Sequence, residues 1–290
     1  METNKEIAAL LNLIDDPDEE VYDLVSEKIM GFGKPIIPNL ENLWETIHNE
    51  QIQERIELII HRLHFGDLMK EFRDWAINEE EPDLLQGALL ISKFEYPDLD
   101  TTPIFQEVEK IKRNIWLELN SYLTPLEEVS ILSSILFNYY SIKAGKTNHH
   151  NPNEFLVHKL IESKKGNQYS NGVLYLLLCE MLDVPVRVMN VPNQLVLAYY
   201  RNSDIDEHTN HPQTKIEFFI DPTTGLVFTQ KDLENYFNRI SLKADPSFYI
   251  PKNNVAVIQQ LLKELGKCFT DEKNSYKQIE LNKLADSLNR

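Results

Sequence analysis

The stretch that decides the fold spans residues 166–200 and reads GNQYSNGVLYLLLCEMLDVPVRVMNVPNQLVLAYY. Its apolar run over residues 173–182 is long and lacks strict alternation, which favours a buried helix over a strand. The segments 184–188 and 194–200 are rich in Val, Leu and Tyr, and both predict strands. A further strand is expected to end at Ile220-Asp221-Pro222. The predicted order is therefore a turn, a central helix and three strand segments.

This order, with a small-residue turn before the helix, resembles the core of the transglutaminase-like superfamily. Such papain-related folds place a Cys at a helix N-terminus and a His and an Asp on adjoining strands. Within the superfamily the closer resemblance is to the SirB-type group, and it covers roughly residues 82–240. The segments that carry it are Gly166-Asn167, Val173-Leu174-Tyr175-Leu176, Leu182-x-Val184-Pro185-Val186, Pro192 and Ile220-Asp221-Pro222.

The resemblance implies which positions correspond to the catalytic residues of the family. It puts the nucleophile position at Gln168 and the base position at Gln194, just after Pro192-Asn193, and it matches the family's Asp at Asp221. In such a site a thiol becomes nucleophilic because a helix N-terminus and a neighbouring His favour its thiolate. A Gln side chain neither attacks a carbonyl nor accepts a proton near neutral pH. We therefore predict a degenerate triad with no catalytic residue.

Polar residues beside the triad positions are expected to form a binding cleft at the start of the central helix. Asn167, Ser170 and Asn171 lie there, where backbone N–H groups and the helix dipole favour an anion or a carbonyl. Such a cleft suits a peptide, an amide or a small acid. The alternative is that Gln168 and Gln194 hydrogen-bond each other and that Asp221 caps local backbone, because buried polar groups need partners in any case.

A second interpretation is a hydrolase or acyl transferase with a rebuilt site that uses Ser170 as the nucleophile. Ser170 would need a base, and the nearest histidines in sequence are His158, His208 and His211. Cys179 is rejected as the nucleophile because it lies deep in the apolar run, where a free Cys is usually a small core residue. A hydrogen bond between one of these imidazoles and Ser170 would favour the interpretation as an enzyme and contradict the interpretation as a binding module.

The charge balance excludes several classes of partner. The chain has 29 basic and 46 acidic residues, a net charge of −17, whereas binding to nucleic acid or an anionic membrane requires clustered Lys and Arg. No apolar stretch reaches membrane-spanning length, and residues 1–6 lack the basic head of an export signal. We therefore expect a cytoplasmic protein that binds a protein or peptide, and neither nucleic acid nor a membrane.

No cofactor and no metal are predicted. Cys179 and Cys268 are too far apart in sequence to suggest a disulfide framework or a Cys-based metal site. The pairs His61/His64 and His149/His150 have no carboxylate or thiol at ligand spacing. The loop over residues 204–212, with His208 and His211, is the best metal candidate, but a long polar connection between strands explains it without an ion.

Three domains are predicted along the chain. Residues 1–80 show helical periodicity, and the phrase Leu10-Leu11-x-Leu13-Ile14-Asp15-Asp16-Pro17-Asp18-x-x-Val21 resembles a HEAT repeat, so we expect two helix pairs. Such a unit serves either as a platform for another protein or only as a cap. After an acidic connector at Glu79-Glu80-Glu81, the transglutaminase-like domain spans residues 82–245, and a helical extension spans 246–290. The predicted fold class is α+β, predominantly α, with a small antiparallel sheet.

Finer expectations concern individual elements of the second and third domains. Thr124-Pro125-Leu126-Glu127 has the pattern of a capping box, and Thr229 is expected to cap a later helix. Apolar spacing predicts a long amphipathic helix over residues 105–122, and prolines predict an extended piece at 248–250. Two helices are expected in the tail, over residues 255–268 and 271–288.

Overall fold

The computed structural model of the protein describes residues 7, 9–77, 81–191, 194–200 and 215–289. The chain divides into two compact units, Met1–Glu71 and Phe72–Arg290. The domain limits expected from the sequence, 1–80, 82–245 and 246–290, stay a prediction. Glu79 and Glu80 of the expected acidic connector, Pro192-Asn193 and the His208/His211 loop lie outside the described residues.

The first unit is helical. Its helices include α1 (Glu19–Met30), α2 (Ile37–Thr46) and α3 (Glu50–Ile77), the last of which ends beyond the unit. Asp18 begins α1 because its side chain accepts a hydrogen bond from the N–H of Glu20. The helices share a core of buried aliphatic side chains: Leu10, Ile14, Val25, Ile29, Ile36, Ile37, Leu40, Ile56, Ile59 and Leu63. The assignment of these helices to HEAT repeats stays a prediction.

The second unit is built around one helix, α8. The elements that precede it are α4 (Leu84–Glu95), α5 (Thr102–Trp116), α6 (Pro125–Ser133), β1 (Lys143–Ala144), α7 (Val157–Ser163) and β2 (Lys165–Gly166). Helix α8 (Gln168–Met181) is buried on every side from Tyr169 to Cys179. Its apolar run lacks an exposed face because α4, α5, α7 and the later elements pack around it. The predicted central buried helix is confirmed.

A four-stranded antiparallel sheet follows α8. Its strands, in spatial order, are β3 (Val186–Val188), β4 (Leu197–Tyr200), β5 (Ile216–Ile220) and β6 (Val227–Phe228). Val186 pairs with Tyr199, and Leu197 pairs with Ile220. Strand β4 is buried on both faces, which explains why its sequence does not alternate between apolar and polar residues. The sheet therefore forms one side of the core, with α8 packed against β3.

The C-terminal part is helical and includes α9 (Gln230–Arg239), α10 (Asn254–Gly266) and α11 (Ser275–Ser287). Capping boxes begin α6 at Thr124 and α9 at Thr229, as the sequence predicts. Helices α10 and α11 pack against each other, and α10 also contacts α8. The fold is thus α+β and predominantly α, which confirms the predicted class. Within the described residues, no helix combines the length and the hydropathy that a bilayer crossing needs.

Two local expectations are wrong. The helix expected over residues 105–122 ends at Trp116, and Tyr122 is 93% exposed. The side chain of Asn120 accepts the Tyr122 N–H, so a local turn replaces the next helical turn. In the expected extended piece at 248–250, Phe248 and Tyr249 instead belong to a 3₁₀ helix, Pro246–Tyr249. This helix forms because Asp245 accepts the N–H of Ser247 and Pro246 occupies the first turn.

Candidate binding cleft

Gln168, the first of the three predicted triad positions, is the first residue of α8. Asn167 caps the helix, since its Oδ1 accepts the N–H groups of Tyr169 at 2.8 Å and Ser170 at 3.2 Å. The Asn167 side chain is fully buried, which fixes the start of the helix against the core. Gln168 is only partly buried, so the cap leaves its side chain beside the solvent.

The second position, Gln194, lies just before β4 and is held through its backbone. Its carbonyl oxygen accepts a hydrogen bond of 3.0 Å from Gln260 Nε2 on α10. Gln260 Oε1 in turn accepts a 2.6 Å hydrogen bond from Lys252 Nζ. Burial lowers the pKa of Lys252 to about 8. These contacts hold the Gln194 backbone in place. They do not involve the Gln194 side-chain amide.

The third position, Asp221, follows β5 and stabilises the turn that comes after it. One carboxylate oxygen accepts hydrogen bonds from the Thr223 N–H at 2.8 Å and the Thr223 Oγ1 at 2.6 Å. The other accepts one from Thr224 Oγ1 at 3.0 Å. Asp221 thus caps local backbone, which is one part of the alternative considered from the sequence. The other part is absent: no hydrogen bond joins the side-chain amides of Gln168 and Gln194, both of which the structure describes.

These three residues line one cavity of about 340 Å³. Residues distant in sequence therefore meet in one cavity at the N-terminal end of α8. The walls are mostly apolar, while Asp232, Tyr236 and Arg239 of α9 add polar groups. The lining consists of Gln168, Gln194, Leu195, Val196, Ile220, Asp221, Pro222, Phe228, Asp232, Leu233, Tyr236 and Arg239.

The three predicted cleft residues Asn167, Ser170 and Asn171 are not among the lining residues of this cavity. All three are buried in the core at the start of α8. Ser170 Oγ donates to the Glu154 carbonyl at 2.6 Å and accepts the Asn167 N–H at 3.1 Å. The hydroxyl therefore completes a capping box, and the structure gives this group a structural role.

The candidates for a rebuilt nucleophile and base do not meet in the described part of the chain. His158 is fully buried, and neither ring nitrogen has a hydrogen-bond partner, so it does not activate Ser170. Burial lowers the pKa of His158 to about 4, which keeps the ring neutral. Cys179 is fully buried, and burial raises the pKa of its thiol well above the usual range. His208 and His211 lie outside the described residues.

No group of three or more His, Cys, Asp or Glu side chains gathers as a metal site would require among the residues that the structure describes. In each of the pairs His61/His64 and His149/His150, which were not predicted to bind a metal, one ring has an aromatic contact. His149 Nε2 lies 3.1 Å from Glu264 Oε2, and its ring stacks on Phe155. The ring of His61 stacks on Phe65. The 340 Å³ cavity contains side-chain amides, carboxylates and one guanidinium, all of which can form hydrogen bonds with a ligand.

Residues 102–263 match a family model described as the transglutaminase-like superfamily, and this span is more than half of the chain. The chain belongs to the transglutaminase-like superfamily. Protein SirB1 of Salmonella typhimurium and Protein SirB1 of Salmonella typhi are each 20% identical to it over 153 residues. These matches cover 49% of this chain and 56% of each relative, so the chain spans little more than half the length of the curated relatives it matches. No solved structure matches the chain.

The contribution of α9 to this cavity was not expected from the sequence. Asp232, Tyr236 and Arg239 are spaced as i, i+4 and i+7, which puts them on one face of a helix, so a signal was present. The Arg239 guanidinium lies over the Tyr236 ring, 5.5 Å from its centre. Asp232 accepts hydrogen bonds from the Thr229 hydroxyl and N–H, which lower the pKa of its carboxyl. Asp232 therefore stays ionised and is a weak base.

Proposed function

We propose that the protein is a non-catalytic transglutaminase-like module, of SirB type, that binds a peptide or a small ligand in its degenerate cleft. The observation that carries the proposal is the meeting of Gln168, Gln194 and Asp221 in one cavity, where the superfamily pattern has a nucleophile, a base and an orienting residue. The described lining contains no Cys, Ser or His. Such a cleft holds a ligand without activating it.

A peptide group matches the chemistry of this cavity. Each Gln side chain offers an N–H donor and a carbonyl acceptor, the same pair that a peptide group needs. Leu195, Val196 and Leu233 supply an apolar wall for a ligand side chain. A volume of about 340 Å³ is at the lower end of the range for small-ligand sites, so it suits a short segment. The proposed partner is therefore a protein or peptide in the cytoplasm, and the helical N-terminal unit is a candidate platform for it.

The assignment of the triad positions is tested by restoring the missing pair. In Gln168→Cys/Gln194→His the new thiol lies at a helix N-terminus, as it does in Gln168→Cys alone, and also gains an imidazole. We therefore expect its pKa to fall by about one unit or more below that in Gln168→Cys alone. The rate of iodoacetamide labelling against pH measures both values. Equal thiol pKa values in the two variants would mean that the positions are not neighbours in the required geometry.

Binding is tested by native mass spectrometry with a mixture of short capped peptides. We expect retained peptides to lose at least about fivefold in affinity in Gln168→Ala/Gln194→Ala, since each lost hydrogen bond contributes about 0.5–1.5 kcal/mol. Gln106→Ala on the exposed face of α5 is the matched control and should bind like the native protein. Cleaved or covalently attached peptides would instead show that the protein is an enzyme.

A further inference from the structure

A second cavity, of about 650 Å³, lies at the opposite, C-terminal end of α8. Leu177, Glu180 and Met181 of that helix form part of its wall. The start of α4, the helix α5 and strand β3 complete it. The full lining is Glu81, Pro82, Asp83, Leu84, Leu85, Phe105, Glu109, Leu177, Glu180, Met181, Asp183, Val184, Pro185, Arg187 and Asn254. This cavity shares no residue with the degenerate cleft.

The charge in this cavity is unbalanced. Five of its lining residues carry a carboxylate, and only Arg187 carries a positive charge, which leaves a net charge of −4 when all are ionised. Arg187 does not neutralise a neighbour by direct contact: its Nη1 donates to the Val186 carbonyl at 2.9 Å, and none of the described carboxylates forms a salt bridge with it. The C-terminal end of the α8 dipole adds further negative potential.

Of the five carboxylates that line this cavity, Glu180 is the least exposed. It is half-buried beside the apolar side chains of Leu177 and Met181. One oxygen accepts a 3.2 Å hydrogen bond from Asn254 Nδ2, and no described cation lies within salt-bridge distance of either oxygen. Burial raises the pKa of Glu180 to about 7, although the Asn254 hydrogen bond and the more distant Arg187 charge both act to lower it. A bound cation would offset this effect of burial.

The shape and chemistry of the cavity favour an organic cation over a metal ion. The described acidic side chains do not gather in a metal-binding arrangement. The walls are apolar, with Leu84, Leu85 and Phe105 facing the same space as the carboxylates. A methylene chain would pack on such walls, while an ammonium group at its end would reach a carboxylate. The ring of Phe105 offers a further attraction for a cation.

We propose that this cavity binds an alkylammonium group, either the end of a free polyamine or a lysine side chain of a polypeptide, with Glu180 as its ion-pair partner. Asn254 positions the Glu180 carboxylate, and the apolar wall holds the alkyl chain. Arg187 limits the affinity by repelling the ligand, and it disfavours cations that lack an extended chain.

The test is calorimetric titration of the full chain at about pH 8, where Glu180 is mostly ionised. Two probes are used, spermidine and Nα-acetyl-lysine N-methylamide. We expect saturable binding of at least one probe at one site. The tighter probe identifies the source of the ammonium group, a free polyamine or a lysine side chain. Failure of both probes to saturate at millimolar concentration would overturn the proposal.

Matched variants distinguish binding of the cation at this cavity from its nonspecific attraction to an acidic protein. Glu180→Gln should weaken binding about tenfold or more, and Arg187→Gln should strengthen it severalfold. Glu118→Gln removes an exposed carboxylate outside the cavity and should leave binding unchanged. Asp183→Asn, on the exposed turn after α8, is a second cavity variant if Glu180→Gln does not fold. Equal losses in Glu180→Gln and Glu118→Gln would also overturn the proposal.

Discussion

Gly172 lies where α8 approaches the wall of the cavity lined by Gln168, Gln194 and Asp221. A Cβ atom at this position would collide with the side chain of Leu195, which lines the cavity. Gly172→Ala gains up to about 1 kcal/mol of helix propensity but costs about 1–3 kcal/mol through overpacking in a buried site. We expect a net loss of roughly 1–2 kcal/mol in the free energy of unfolding, measured by urea denaturation.

Gly66 supplies the control for this prediction. It also lies inside a helix, α3, but a Cβ atom there would meet nothing within 4 Å. Gly66→Ala should therefore raise stability by up to about 1 kcal/mol, since only helix propensity changes. If both variants changed stability in the same direction, the close contact between Gly172 and Leu195 would not be the cause.

His158 should make the protein less stable as the pH falls. Its pKa is lowered to about 4 in the folded state by burial and is near 6.5 when unfolded, so the unfolded state binds the proton first. The stability that the neutral ring provides is present above the unfolded pKa and is lost as the pH falls towards the folded one. The loss from this one group reaches at most about 1.4 kcal/mol per pH unit.

The measurement compares urea denaturation of the native protein and His158→Phe between about pH 6.5 and pH 4. Phe keeps the aromatic contact with Tyr96, whose ring centre lies 5.0 Å from that of His158. Glu180 acts in the opposite direction, because its raised pKa makes the folded state bind a proton first between about pH 7 and its usual value. The difference between the two profiles therefore reports His158 alone. Parallel profiles would contradict the prediction.

At the scale of elements, the N-terminal cap of α8 is expected to matter more than an exposed cap. Asn167→Ala leaves the buried N–H groups of Tyr169 and Ser170 without their acceptor. Loss of a cap costs about 0.5–2 kcal/mol, and buried unsatisfied donors put the cost at the upper end of that range. We expect a loss of about 2 kcal/mol in the free energy of unfolding, followed by far-UV circular dichroism in urea.

Thr229→Ala, at the start of α9, is the comparison. Thr229 also completes a capping box, but it is exposed to solvent, so water can replace the lost hydrogen bonds. Its removal should cost about 1 kcal/mol or less. A loss in Thr229→Ala as large as that in Asn167→Ala would show that burial of the cap does not set its contribution.

At the scale of the whole molecule, the net charge of −17 should destabilise the folded chain at low ionic strength. Acidic side chains are closer together in the folded state than in the unfolded state, and salt screens their repulsion over about 10 Å at 0.1 M. We expect the urea midpoint to rise when NaCl is raised from about 0.02 to 0.2 M. KCl should give the same shift, since screening depends on ionic strength. A fall in the midpoint would mean that attractive ion pairs dominate.

The sequence by itself determined the central helix, the order of the strands after it and the helix caps at Thr124 and Thr229. These signals depend on residues within one or two turns of each other, so they can be recognised from the sequence without a structure. The positions Gln168, Gln194 and Asp221 also came from the sequence, because the family resemblance relates them through fixed segments. The structure shows that the three residues line one cavity, and their correspondence to a catalytic triad stays a prediction.

Only the tertiary structure decided which polar groups face a cavity and which lie in the core. Ser170 and Asn171 resemble cleft residues in sequence, yet packing of α7 and α8 buries both. Arg239 reaches the cleft, and residues between Glu81 and Asn254 form the acidic cavity, because distant segments pack together. The physical reason is that burial and electrostatic potential depend on contacts between residues far apart in the chain, which local sequence patterns do not specify.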